Sequence, residues 1–290
     1  MDSHQARYSL LAAIAAISMA TIGVFSRFSG LPSETLTFFR LFIGALLLLA
    51  LLSWQRRALM PGRAAWIGSL VSGGFLAGFI LFYIQSMNHT TMATAIFMVY
   101  LGPILATILA WFFRGQRLSA LQWGLMVLAL FGFVLMQQGS NFSLSNIGVV
   151  YAALAMLCYG GFIFVNGGLP VDAEPVVTAF WQLLAGALVM LPMLFWRESN
   201  WAFSVPEWGW LFVVGLWPGF IALYAAIVAL KHLPTGVYGT ITYLEPVAVS
   251  VFGWVMFAEL LSVQQLIGGV LIVGAGVGQA LAHSRIPAAH

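Results

Sequence analysis

Apolar residues run almost unbroken along this chain, and polar positions gather in short clusters between the runs. Residues 64–113 hold no Asp, Glu, Lys or Arg, and neither do residues 118–171. Each stretch is about 50 residues long, enough for two helices of about 20 residues joined by a tight loop in a membrane. Breaks at polar or Gly/Pro clusters predict ten spans: 8–26, 35–54, 65–86, 91–113, 121–137, 147–165, 175–196, 208–229, 235–257 and 263–282. The alternation expected of a lipid-facing strand is absent, which excludes a β-barrel. Backbone N–H and C=O groups in lipid must be paired within their own segment, so these runs form helices.

Composition supports the same picture. Of 290 residues 62% are hydrophobic and 7% charged, against about 25% charged in an ordinary soluble domain. Eleven basic and eight acidic side chains cannot cover a soluble globule of this size. A soluble enzyme, a nucleic-acid-binding domain and a disordered chain are thereby excluded. The single cysteine, Cys158, provides neither a disulfide framework nor a cysteine metal site.

The basic residues orient the spans. Arg7, Arg56, Arg57, Arg63, Arg114, Arg117, Lys231 and Arg285 fall on the side of the N-terminus. Arg27 and Arg197 fall on the other, and Arg40 lies within a span. Positive residues stay inside, so both termini are expected in the cytoplasm of a multi-pass inner-membrane protein. The first span could also be read as a signal peptide, since Arg7 precedes an apolar run and Ser18-Met19-Ala20 resembles a cleavage site. Removing it would leave nine spans and break the repeat described next.

The sequence contains itself twice. Tyr100-Leu101-Gly102-Pro103 matches Tyr243-Leu244-Glu245-Pro246 at an offset of 143, as do His89 and His232, Trp111 and Trp254, and Gln122 and Gln265. Arg40-Leu41 matches Gln182-Leu183 at an offset of 142. The polar stretch from Gln137 to Asn146 is the natural joint between a first repeat, 1–140, and a second, 141–290. Five spans per copy is odd, so the second copy enters the membrane upside down. Inverted repeats with a substrate site near the midplane are the architecture of many secondary transporters.

Ten helices in two five-helix halves, with Leu-(Glu/Gly)-Pro inside the fourth and ninth spans, resemble the EamA-type drug/metabolite transporters. Gly115-Gln116-Arg117-Leu118-Ser119 and Ala258-Glu259-Leu260-Leu261-Ser262 resemble the turn that follows those helices in that family. The likeness covers essentially the whole chain. It implies an all-α membrane fold around a central cavity, and within the family the chain is similar to bacterial exporters of amino acids, notably aromatic ones. Two departures stand out: Gly102 sits where the second copy has Glu245, and Gln116 where it has Glu259.

Candidate chemistry is sparse. Glu245 is the only acid well inside a span. It is read either as a proton carrier or ammonium ligand, or as a protonated carboxyl bonded to backbone freed by Pro246. Arg40, about six residues into its span, is expected to snorkel outward, with Glu34 nearby, in a gating or structural role. Pro103 and Pro246 each remove an N–H from a helix and free a carbonyl, at equivalent points of the two copies, which suggests hinges. Tyr83, Tyr100, Tyr159, Trp217, Tyr224, Tyr238 and Tyr243 carry polar groups that lipid would not satisfy, and are candidates to line a cavity. Thirty glycines fit close helix packing. His89 and His232 sit at distant loop ends and make no metal site.

No H-E-x-x-H, G-x-S-x-G or Walker A pattern occurs, so no catalytic residue, metal, cofactor or ATPase partner is expected. The partners implied are a small-molecule substrate and the lipid bilayer, with no nucleic acid. The reading is a secondary transporter exporting small amphipathic metabolites, foremost amino acids, by alternating access. A multidrug or other metabolite exporter of the same fold, a channel and a membrane-embedded enzyme stand as alternatives.

Overall fold

A computed structural model describes residues 3–116, 118–138, 146–196 and 203–283. Arg117, Arg197, Arg285 and most of the joint between Gln137 and Asn146 lie outside them. Within the described residues the chain forms ten apolar helices: α1 (Ala6–Ser29), α2 (Ser33–Trp54), α3 (Arg63–His89), α4 (Met92–Arg114), α5 (Ala120–Gln138), α6 (Ile147–Asn166), α7 (Pro175–Trp196), α8 (Val205–His232), α9 (Val237–Phe257) and α10 (Val263–His283). All but α5 hold an apolar stretch of 19 residues or more. The 19-residue α5 rises about 28 Å at 1.5 Å per residue, close to the ~30 Å hydrocarbon core.

Helix ends repeat along with the sequence. Ser119 N–H donates to Gln122 Oε1 at 2.9 Å at the start of α5, and Ser262 N–H to Gln265 Oε1 at 2.8 Å at the start of α10. Thr107 Oγ1 donates to the Pro103 carbonyl, and Ser250 Oγ to the Pro246 carbonyl, both at 2.8 Å. Each pair is 143 residues apart, so the repeat extends to individual hydrogen bonds.

Packing follows the same two-fold relation. α3 lies against α6 and α7, and its counterpart α8 against α1 and α2. α4 meets α6 as α9 meets α1, while α2 pairs with α7, α4 with α9 and α5 with α10 across the axis. Glycine sets the closest approaches. A Cβ on Gly44 of α2 would stand 2.9 Å from the Gly219 carbonyl of α8, and one on Gly186 of α7 would stand 2.9 Å from the Gly73 carbonyl of α3. Without hydrophobic drive between helices in lipid, such small-residue contacts carry the association.

Four helices are interrupted. α1 breaks at Thr21, whose hydroxyl donates to the Ser18 carbonyl. α4 breaks at Tyr100–Leu101 and α9 at Tyr243, each just before its proline. α8 opens into a π-helical turn, Gly215–Ile221, around Pro218. Proline leaves the carbonyl four residues back without its helical donor, and the wider turn accommodates that loss.

Candidate functional site

The two broken helices face each other. Tyr100 at the α4 break and Tyr243 at the α9 break lie edge to face, with ring centroids 5.2 Å apart. The Tyr100 hydroxyl is 3.0 Å from the Thr242 carbonyl and 3.0 Å from Glu245 Oε2. Thr242 is four residues before Pro246, so this carbonyl is the one that the proline frees. The hydroxyl has one proton and two acceptors. When it donates to the carbonyl, its own oxygen can accept a hydrogen bond from a protonated Glu245; when it donates to Glu245, it stabilises the carboxylate. The site therefore accommodates either protonation state.

Other predicted tyrosines gather around Glu245. Tyr83 is 2% exposed and stacks on Phe79 at 5.8 Å, and Phe79 also contacts Tyr159 at 4.7 Å. Tyr83, Tyr159 and Tyr238 all lie within electrostatic reach of Glu245. Tyr243 and Pro103 border a cavity of about 30 Å³ between α4, α5, α9 and α10, which also touches Thr107 and Gln279. It has room for a water or two, not for an amino acid.

Two predicted residues lie on α8. Trp217, in the π-helical turn, is 41% exposed. Tyr224 is half-buried and stacks on Phe220 at 6.0 Å. The helical period did not reveal the π turn, which rotates residues on either side of it relative to a regular helix.

Arg40 differs from its sequence expectation. Its guanidinium turns inward rather than toward the headgroups. Its Nη2 lies 3.5 Å from the Pro218 carbonyl of the π turn, and the guanidinium interacts with Glu245 and Tyr83 inside the bundle. The π turn brings that carbonyl to α2, where Gly219 also packs on the Arg40 backbone.

A second polar assembly was not singled out in the sequence. Arg27, at the end of α1, donates from Nε and Nη2 to the Met87 carbonyl (3.1 and 2.6 Å), from Nη2 to the Thr90 carbonyl (3.0 Å), and from Nη1 to Glu259 Oε1 (2.6 Å). Glu259 Oε2 accepts from Met92 N–H at 2.8 Å, and the guanidinium lies over Phe257 at 4.7 Å. One ion pair thus ties the ends of α1, α3, α4 and α9. Its only sequence signal was the departure at Gln116, which marks where the first repeat lacks the acid.

Ten apolar helices in two inverted copies, with paired broken helices meeting at a carboxylate, define a membrane transporter of the inverted-repeat class. Residues 6–137 and 146–278 each match the EamA-like transporter family. The chain belongs to that family. It is 26% identical to the threonine/homoserine exporter RhtA of Escherichia coli (strain K12), over 94% of this chain and 90% of that protein. It is 25% identical to the uncharacterized transporter YwfM of Bacillus subtilis, over 92% and 94% respectively. It is also 30% identical to an uncharacterized transporter of Pseudomonas aeruginosa, over 74% and 73%. A solved crystal structure superposes with a TM-score of 0.69 at 21% identity, covering 95% of this chain and 99% of that one, which supports the fold.

Proposed function

We propose that this transporter exports amino acids, including aromatic ones, across the bacterial inner membrane by alternating access. The observation that carries the reading is the meeting of the two proline-broken helices at Tyr100, Tyr243 and Glu245. A carboxylate for an ammonium group, a carbonyl freed by proline and aromatic faces for a side chain stand together at the contact between the halves. The amino acid exporter among the relatives supports the substrate class. Pro103 and Pro246 serve as the hinges about which the halves open. Glu245, whose carboxyl Tyr100 can hydrogen-bond in either protonation state, couples export to a proton gradient.

The test is transport by purified protein in liposomes against a panel of labelled solutes under an imposed pH gradient. Threonine, homoserine and phenylalanine should show saturable, gradient-dependent movement. Glu245→Gln should fold and insert but lose the response to the gradient. A Glu245→Gln protein with wild-type gradient dependence would remove the coupling role. Currents without saturation or counterflow would replace the transporter mechanism with a channel.

A further inference from the structure

Arg40 and Gln182 occupy the same place in the two repeats, yet their surroundings differ. Gln182 Nε2 donates to Ser72 Oγ at 2.9 Å and to Asn166 Oδ1 at 2.7 Å, and the residue is buried. Both amide protons are used, so this is a completed structural contact between α3, α6 and α7. Arg40 has five N–H donors, and its hydrogen bond to the Pro218 carbonyl is long at 3.5 Å. Beside it, Tyr83 keeps a buried hydroxyl with no hydrogen-bond partner. Buried donors are nearly always satisfied, and a cation and a hydroxyl left with spare donors together call for an acceptor from elsewhere. Both interact electrostatically with Glu245, an acceptor whose other contact is the Tyr100 hydroxyl.

We propose that Arg40 and Tyr83 bind the carboxylate, and Glu245 the ammonium group, of an α-amino acid held between the two halves. This rests on the amino acid reading above and assigns Arg40 to the substrate rather than to gating. The physical reason is charge balance. In the empty site Arg40 and Glu245 compensate one another across the bundle. A zwitterion inserted between them replaces that longer-range attraction with two charge-assisted contacts and adds no net charge. An amine without a carboxylate leaves Arg40 unmatched, and an acid without an ammonium leaves Glu245 unmatched, each in a medium where an uncompensated charge is costly. The pair therefore rejects both kinds of half-substrate.

The experiment measures uptake of labelled phenylalanine and threonine into liposomes, competed by the free amino acid, its methyl ester and its N-acetyl derivative. For the wild type, the free amino acid should compete roughly tenfold better than either derivative, the factor expected for one charged hydrogen bond. In Arg40→Gln the advantage over the ester should collapse while the advantage over the N-acetyl compound persists. Arg40→Lys should restore part of it, and Tyr83→Phe should reduce it. Equal competition by the ester in the wild type overturns the assignment without any variant, as does an Arg40→Gln protein that still discriminates against the ester. If Arg40→Gln does not fold, the wild-type comparison and Tyr83→Phe decide. Failure of the wild type to move either amino acid overturns the export reading itself, a different result from amino acid transport that ignores the carboxylate.

Discussion

Residues 115 and 258 end α4 and α9 in the same left-handed conformation, with φ of +64° and +54°, but one is Gly and the other Ala. Left-handed backbone costs an L-residue about 1–2 kcal/mol through its Cβ, and the extra unfolded-state freedom of glycine gives back about 0.4–1 kcal/mol. Ala258→Gly should therefore stabilise the protein by about 0.5–1 kcal/mol, and Gly115→Ala should destabilise it by a similar amount. Thermal unfolding in detergent checks both, and equal effects of the same sign would mean that the two turns are not equivalent. At this scale much was legible in the sequence. The matched tyrosines meet beside the two helix breaks, because a helix break beside proline follows from covalent geometry. The environment of Arg40 was not legible. Its depth alone suggested snorkelling, whereas its contacts depend on a π turn in α8 whose only local signal is Pro218.

Among the elements, the two halves are unequal at their ends. Met92–Val99 of α4 are buried throughout, while the equivalent stretch of α9 is only half-buried over residues 237–242. At the buried end the Arg27–Glu259 pair satisfies carbonyls at the end of α3 and the first N–H of α4 together. In the first repeat Gln116 stands in place of Glu259, and Arg114, aligned with Phe257, reaches the Phe164 carbonyl and ring of α6. Span ends were readable to within three residues from polarity, but a four-helix clamp depends on long-range contacts that no local pattern encodes. Removing one partner of such a pair leaves the other charge unmatched. Ala93→Cys, at a position 2% exposed, should be nearly unreactive toward thiol reagents in the Cys158→Ala background. Adding Arg27→Gln should raise its labelling rate about tenfold or more, the effect of losing ~1.4 kcal/mol from the closed end. An unchanged rate would show that the clamp does not hold that end shut.

For the whole molecule, the paired contacts of α2 with α7 and α5 with α10 place an approximate two-fold axis through the bundle. A two-fold relation between halves of opposite insertion requires that axis to lie in the membrane plane. The two ends of the bundle are then equivalent by architecture and differ only in their side chains. Arg27 and Glu259 fix one end; Arg57 and Glu174 form an ion pair at the other. The positive-inside rule predicts that the second end faces the cytoplasm, since Arg56, Arg57, Arg63 and Arg114 lie there. Two exposed loop positions separate the possibilities: Leu260, 80% exposed beside Glu259, and Val171, fully exposed near Glu174. With Cys158→Ala removing the native thiol, Leu260→Cys should react with an impermeant maleimide on intact cells. Val171→Cys should react only after the membrane is permeabilised. The opposite pattern would invert the molecule, putting the clamped end in the cytoplasm.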